Sequence, residues 1–172
     1  MPDSDLLLAI SQLAVALAGF SGLIAAIRTA APDGWYPRDI WSLSWMLGAS
    51  IGALVLSLLP VWLTLFGWPD GIVYRVASAV ASLCIGSFVV VMAWTGRRLT
   101  RTGHPPRVRY FPVAIVFLLG LASMVMAVGA AGMLRGSIVA AYVGTLIALL
   151  LASVLVLAVF LVLLARMTQR RS

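Results

Sequence analysis

Apolar residues in this chain fall into five long runs, each relieved mainly by small or hydroxylated residues and bounded by charge, proline or glycine. The runs cover residues 6–27, 40–66, 72–94, 111–134 and 138–165. A helix crosses a hydrocarbon core of about 30 Å with about 20 residues, and every run reaches that length. None alternates polar and apolar positions as a half-buried strand does. The pattern predicts an all-α membrane protein: a single domain, residues 1–172, folded as a bundle of five transmembrane helices.

The breaks have local causes. Asp3 or Ser4 can cap the first run, with negative charge at the positive end of the helix dipole. Pro32, Gly34 and Pro37 break the chain before the second run, which Pro37 enters as a first-turn residue. That run is long for the bilayer, so tilt or a bend near Pro60 is expected. The Gly-Trp-Pro-Asp-Gly turn follows, with Asp70 as the expected cap of the third run. Gly136 and Ser137 suit a helix end and a new N-cap, which predicts a hairpin between the fourth and fifth runs.

Composition agrees with this pattern and adds orientation. Of the 172 residues 63% are hydrophobic and only 10% charged, where a soluble domain carries about 25%. All twelve basic residues are arginine, against five acidic ones, for a net charge of +7. With the N-terminus outside and the C-terminus cytoplasmic, the inner segments hold Arg28, Arg38, Arg97, Arg98, Arg101, Arg107, Arg109, Arg166, Arg170 and Arg171. Only Arg75 and Arg135 lie outside, as the positive-inside bias requires. Five of these arginines crowd into an expected loop at 96–109. Trp35, Tyr36, Trp41, Trp94 and Tyr110 are expected at the inner interface, and Trp62, Trp68, Tyr74 and Tyr142 at the outer one.

Helices in lipid associate through close approach and interhelical hydrogen bonds, so small residues spaced by four mark candidate packing ridges. Ala14, Ala18, Gly22 and Ala26 form one in the first run, Gly48 and Gly52 one in the second, and Ala140, Gly144, Ala148 and Ala152 one in the fifth. Ser78, Ser82 and Gly86 mark the third run, and Ser123, Ala127 and Ala131 the fourth.

Candidate chemistry is sparse. No carboxylate lies within any of the five runs, His104 is the only histidine and Cys84 the only cysteine. No nucleophile has a base within reach by sequence logic, and no set of residues has metal-ligand spacing. The expectation is a protein that is not an enzyme and needs no cofactor. Cys84 reads as a small buried apolar residue. Arg75 is expected to snorkel toward the outer headgroups, near Asp70. The polar groups at membrane depth are Gln12, Ser11 and Ser21, candidates for interhelical bonds or for a pore lining. Arg97, Arg98, Arg101, Arg107 and Arg109 are candidates for anionic lipid headgroups, each worth roughly 1 kcal/mol near an anionic surface, or for an acidic partner. Nucleic acid ranks below both, because the segment lacks interleaved aromatics.

The stretch LAGFSGLIAAI in the first run, the Pro-Arg-Asp loop after it and LLPVW in the second run together resemble a pattern in small bacterial polytopic membrane proteins. The likeness covers residues 13–62 and implies the bacterial inner membrane; it implies no catalytic or binding residue. The functional expectation is a non-enzymatic helical module that associates with itself or with a membrane partner. A homo-oligomeric channel or small transport component is the alternative.

Overall fold

The computed structural model describes residues 4–29, 37–103, 111–134 and 136–169. It contains five helices: α1 (Ser4–Thr29), α2 (Pro37–Thr64), α3 (Asp70–Arg101), α4 (Phe111–Ala130) and α5 (Ile138–Gln169). Each is long and apolar enough to cross a bilayer. Large apolar side chains also cover the outside: Leu83 is 75% exposed, Phe117 72% and Val90 67%. A helix that is hydrophobic all round belongs in lipid, and this is a polytopic helical membrane fold.

Successive helices run antiparallel. α1 packs on α2 and α5, α2 also on α3, and α4 on α3 and α5, so that α5 touches all four others. Helices α1 to α4 form an arc with α5 laid along it, and α1 and α4 do not meet among the described residues. The core is built of small and medium residues, among them Ala14, Ala49, Ala53, Ala77, Ala81, Leu119, Leu146 and Ala152. Alanine at the contacts lets the helices approach closely, which is what association in lipid depends on.

Several ends differ from the sequence expectation. The loop expected at 96–109 begins later, because α3 continues through Gly96, Arg97 and Arg98 to Arg101. The apolar run stops at Trp94, but a helix does not need apolar composition to continue. Arginines in its last turn favour the dipole, and Gly103 at φ +86° ends it. Asp70 is not the cap of α3: Pro69 holds that position without a side-chain bond, and Asp70 lies in the first turn. α2 stops at Thr64 and turns through Gly67, at φ +71°.

The hairpin between α4 and α5 exists but turns at a different glycine. α4 ends at Ala130, and Gly132 takes φ +80°. Met133 N–H donates to the Val128 carbonyl (3.3 Å) and Gly132 N–H to that of Gly129 (3.0 Å). This pair of bonds is the Schellman termination, which satisfies the last carbonyls of the helix. The Arg75 guanidinium lies over this turn, so close that a Cβ on Gly132 would stand 2.9 Å from Nη2. Arg75 is therefore placed at the C-terminal end of α4 and makes no ion pair with Asp70 among the described residues.

Two further expectations are corrected. Tyr74 and Tyr142 do not present their rings outward but face the inside of the bundle, 2% and 0% exposed, with rings 5.8 Å apart edge to face. Cys84 is exposed rather than buried, on the outer side of α3. Hydrocarbon accepts a thiol there as readily as the core does.

Tyr142 has a specific task. Pro60 lies inside α2 and has no N–H, so the carbonyl four residues earlier, that of Leu56, loses its helical partner. The Tyr142 hydroxyl donates to that carbonyl at 2.6 Å from α5. Tyr142→Phe is expected to destabilise the protein by about 1–3 kcal/mol, the usual penalty for a buried group left unpaired. In a Pro60→Ala background the new N–H can take the Leu56 carbonyl, and the same change is expected to have less than half that effect. Thermal or denaturant unfolding of the four proteins in one detergent measures the coupling; equal penalties in both backgrounds would contradict it.

Candidate functional site

The polar groups singled out along α1 do not gather. Ser11 and Ser21 are buried, and each hydroxyl bonds back to its own helix, to the carbonyls of Leu8 (2.7 Å) and Leu17 (2.9 Å). Gln12 points the other way and is exposed. Adjacent residues on a helix differ by about 100°, so Ser11 and Gln12 cannot share a face. Among the described residues the Gln12 carboxamide has no hydrogen-bond partner.

The small-residue ridges are used in part. Ala14 is fully buried and Ala18 half-buried, while Gly22 and Ala26 are exposed. In α5 the order is reversed: Ala140 and Gly144 are exposed, Ala148 is intermediate and Ala152 buried. A spacing of four advances about 40° per step, so such a ridge winds from core to lipid within three steps. Gly48 and Gly52 are both half-buried, but only Gly48 receives a neighbour: a Cβ there would stand 2.5 Å from Cε2 of Phe88.

Polar seams join the helices at other positions. Ser82 Oγ donates to the Ser123 carbonyl (3.0 Å) and Ser123 Oγ to that of Ser82 (2.9 Å), a reciprocal clasp between α3 and α4. In the middle of α2 and α5 the Ser50 and Ser153 hydroxyls lie 3.3 Å apart, both over the Met46 carbonyl. Ser78 Oγ and Trp45 Nε1 are buried without a partner. Among the described residues no three histidine, cysteine or carboxylate side chains converge on a point where a metal ion could sit.

The end of the bundle that carries the arginines is the most elaborated region. Arg38 and Asp39, both about 6% exposed, are buried in the first turn of α2. Arg38 Nη1 donates to the Gly96 carbonyl of α3 (3.2 Å), and its guanidinium lies 4.4 Å from the Trp41 ring centre. Trp41 Nε1 donates to Thr95 Oγ1 (3.0 Å), and its ring fills the space that a Cβ on Gly96 would need. Trp45 stands edge to face with both Trp41 (5.7 Å) and Phe88 (5.1 Å). Outside this cluster the Arg98 guanidinium stacks 3.6 Å over Trp94. Arg97 and Arg101 are exposed on the last turns of α3, and Arg107 and Arg109 lie outside the described residues.

No family model, curated protein or solved structure matches the chain. Function must therefore be read from this geometry alone.

Sequence reasoning missed the burial of Arg38 and Asp39, treating them as the edge of a loop. A signal was present in the spacing of Trp41, Trp45 and Gly48, which puts two rings and a gap on one side of the same helix. The ring-into-glycine fit has a testable cost. Gly48→Ala is expected to destabilise by about 1–3 kcal/mol, because Phe88 is held against Trp45 and must shift. Adding Phe88→Leu is expected to recover most of the loss in thermal unfolding followed by tryptophan fluorescence. A neutral Gly48→Ala would mean that Phe88 does not occupy this gap.

Proposed function

We propose that this chain is a non-enzymatic integral protein of the bacterial inner membrane, N-terminus outside and C-terminus cytoplasmic, that works as a helical module by pairing with a second copy through the outward face of α1. The observation that carries the reading is Gln12. Its carboxamide, with two donors and an acceptor, sits within the span of α1 on an exposed face, without a partner among the described residues. Hydrocarbon cannot satisfy it, whereas the carboxamide of a second copy can, because the group is its own complement.

The surrounding face supports the same partner. Gln12, Gly19 and Ala26 recur at intervals of seven, interleaved with Ala9, Ala16 and Leu23, and all six are exposed. This is the heptad seam of a left-handed helix pair, narrow enough for close approach, with one polar position to set register. The hydroxyls of Ser11 and Ser21 turn onto α1 itself, which favours a seam over the alternative, a water-lined channel formed by several copies.

The partner is tested by cross-linking in membranes on a Cys84→Ser background. Ala16→Cys is expected to give a disulfide-linked dimer and Phe117→Cys, on the exposed side of α4, to remain monomeric. Gln12→Leu is expected to loosen association about three- to tenfold, since an interhelical hydrogen bond contributes about 0.6–1.4 kcal/mol. Equal linking at both positions, or no energy transfer between labelled copies in liposomes at any protein-to-lipid ratio, would remove the reading. Orientation has its own check. A fluorescent reporter inserted after Gly103 is expected to light up, and a periplasm-dependent enzyme at the same site to stay inactive; the reverse result would invert the topology.

A further inference from the structure

Two grooves open on the outer surface at the basic end of the bundle, one on each side of α2. The larger, about 470 Å³, runs between α2 and α3, walled by Trp41, Val91, Met92, Trp94 and Leu99. The smaller, about 280 Å³, lies on the other flank of α2, bounded by Ala25, Leu43 and Leu47. Ile40 and Ser44 line both, so a single ridge on α2 separates them. Arg98 and Thr102 stand at the mouth of the larger groove, one turn apart.

We propose that this pair of grooves holds one anionic diacyl phospholipid, with the phosphate on Arg98 and the two acyl chains descending on either side of the Ile40–Ser44 ridge. The headgroup position follows from charge and geometry. Arg98 is exposed, and no acidic side chain among the described residues pairs with it. Stacking on Trp94 holds the guanidinium plane and leaves its N–H groups free to meet phosphate oxygens in that plane. The contacts of Arg38 with Gly96 and of Trp41 with Thr95 set the register of α2 against α3. That register puts Arg98 level with the start of α2, at the headgroup end of both grooves.

The tails follow from what the grooves are made of. Their walls are almost wholly carbon, and Ile40, Val91 and Trp94 are 49%, 53% and 53% exposed. From Arg98 to Val91 the groove descends about 10 Å along α3. From Ile40 to Leu47 the smaller one descends by the same distance along α2. A soluble anion would use only the arginine and leave both grooves unfilled. A molecule with one phosphate and two chains uses the arginine, the ridge and both channels together. The site does not include the outward face of α1, so it stands whether or not two copies associate.

Native mass spectrometry of the full chain, released from nanodiscs of mixed phosphatidylglycerol and phosphatidylethanolamine, tests this. One phosphatidylglycerol per chain is expected to be retained, at least about tenfold in preference to phosphatidylethanolamine. Arg98→Gln is expected to abolish the preference and Arg98→Lys, which keeps charge but not the stacked plane, to retain part of it. Val91→Trp fills the larger groove without touching charge and is expected to cut retention about tenfold, with Ser44→Phe blocking the ridge as a second such variant. Circular dichroism and the unfolding temperature establish that each variant is folded. Three results would each overturn the proposal: equal retention of the two lipids, lyso-phosphatidylglycerol binding as well as the diacyl form, or displacement of the lipid by millimolar inorganic phosphate. The last would assign Arg98 to a soluble anion.

Discussion

Hydrocarbon offers no hydrogen-bond partner, and the architecture of this bundle depends on that constraint more than on any apolar contact. Its sharpest instance is the Leu56 carbonyl. Proline at position 60 strips that carbonyl of its helical donor inside a long apolar helix, at a position buried within the bundle. The answer arrives from another helix, through Tyr142. Removing either partner leaves a group that neither lipid nor the local backbone can satisfy, so the α2–α5 contact is fixed in register by one bond. The Ser50–Ser153 pair, about two turns further along α2, keeps the same two helices aligned.

The same rule ranks the other contacts. α3 and α4 exchange serine hydroxyls for carbonyls, and α2 and α3 exchange an indole N–H for a threonine oxygen. α1 takes no part. Its Ser11, Ser21 and Thr29 all bond to their own preceding turn, as such residues do in helix interiors. It packs against α2 and α5 through Leu7, Ile10 and Ala14. The helix least tied to its own bundle is thus also the one that carries the unanswered carboxamide. In α2 to α5 Ser50, Ser82, Ser123, Tyr142 and Ser153 bond across to another helix. In α1 the one remaining polar group is turned outward.

The five crossings were legible in the sequence because length and apolarity alone determine them. The ends were less so: apolar composition marks where lipid stops, whereas glycines 103 and 132 mark where helix stops, and the two differ by several residues in α3 and α4. Lateral facing was the least legible. A ridge such as Ala14, Ala18, Gly22 and Ala26 looks like one surface in sequence and is half core, half exterior in space. Tyrosine near the end of an apolar run has the composition of an interfacial anchor, yet Tyr74 and Tyr142 are interior. Pro60 reads from the sequence only as the site of a bend, although its missing N–H also orphans the Leu56 carbonyl. Which side chain would answer it depended on how α5 lies against α2, and no local pattern encodes that.

The arginine end obeys the complementary electrostatic constraint. Of the aspartates, Asp5 and Asp70 open α1 and α3 at the far end of the bundle, and Asp39 is buried at 6% exposure beside Arg38. Those described carboxylates leave none free on the surface around Arg97, Arg98 and Arg101. Exposed guanidinium groups beside a bilayer are drawn to anionic phosphates, which is the counter-charge proposed for Arg98. The ring-into-glycine packing between α2 and α3 sets where that layer can engage. With Trp41 seated on Gly96 and Phe88 on Gly48, the two helices are close in their interior, and the open space between them lies on the outer shoulder beneath Arg98. Interior packing and surface charge therefore meet at one place, and the groove proposed to hold lipid is itself a consequence of how α2 and α3 pack.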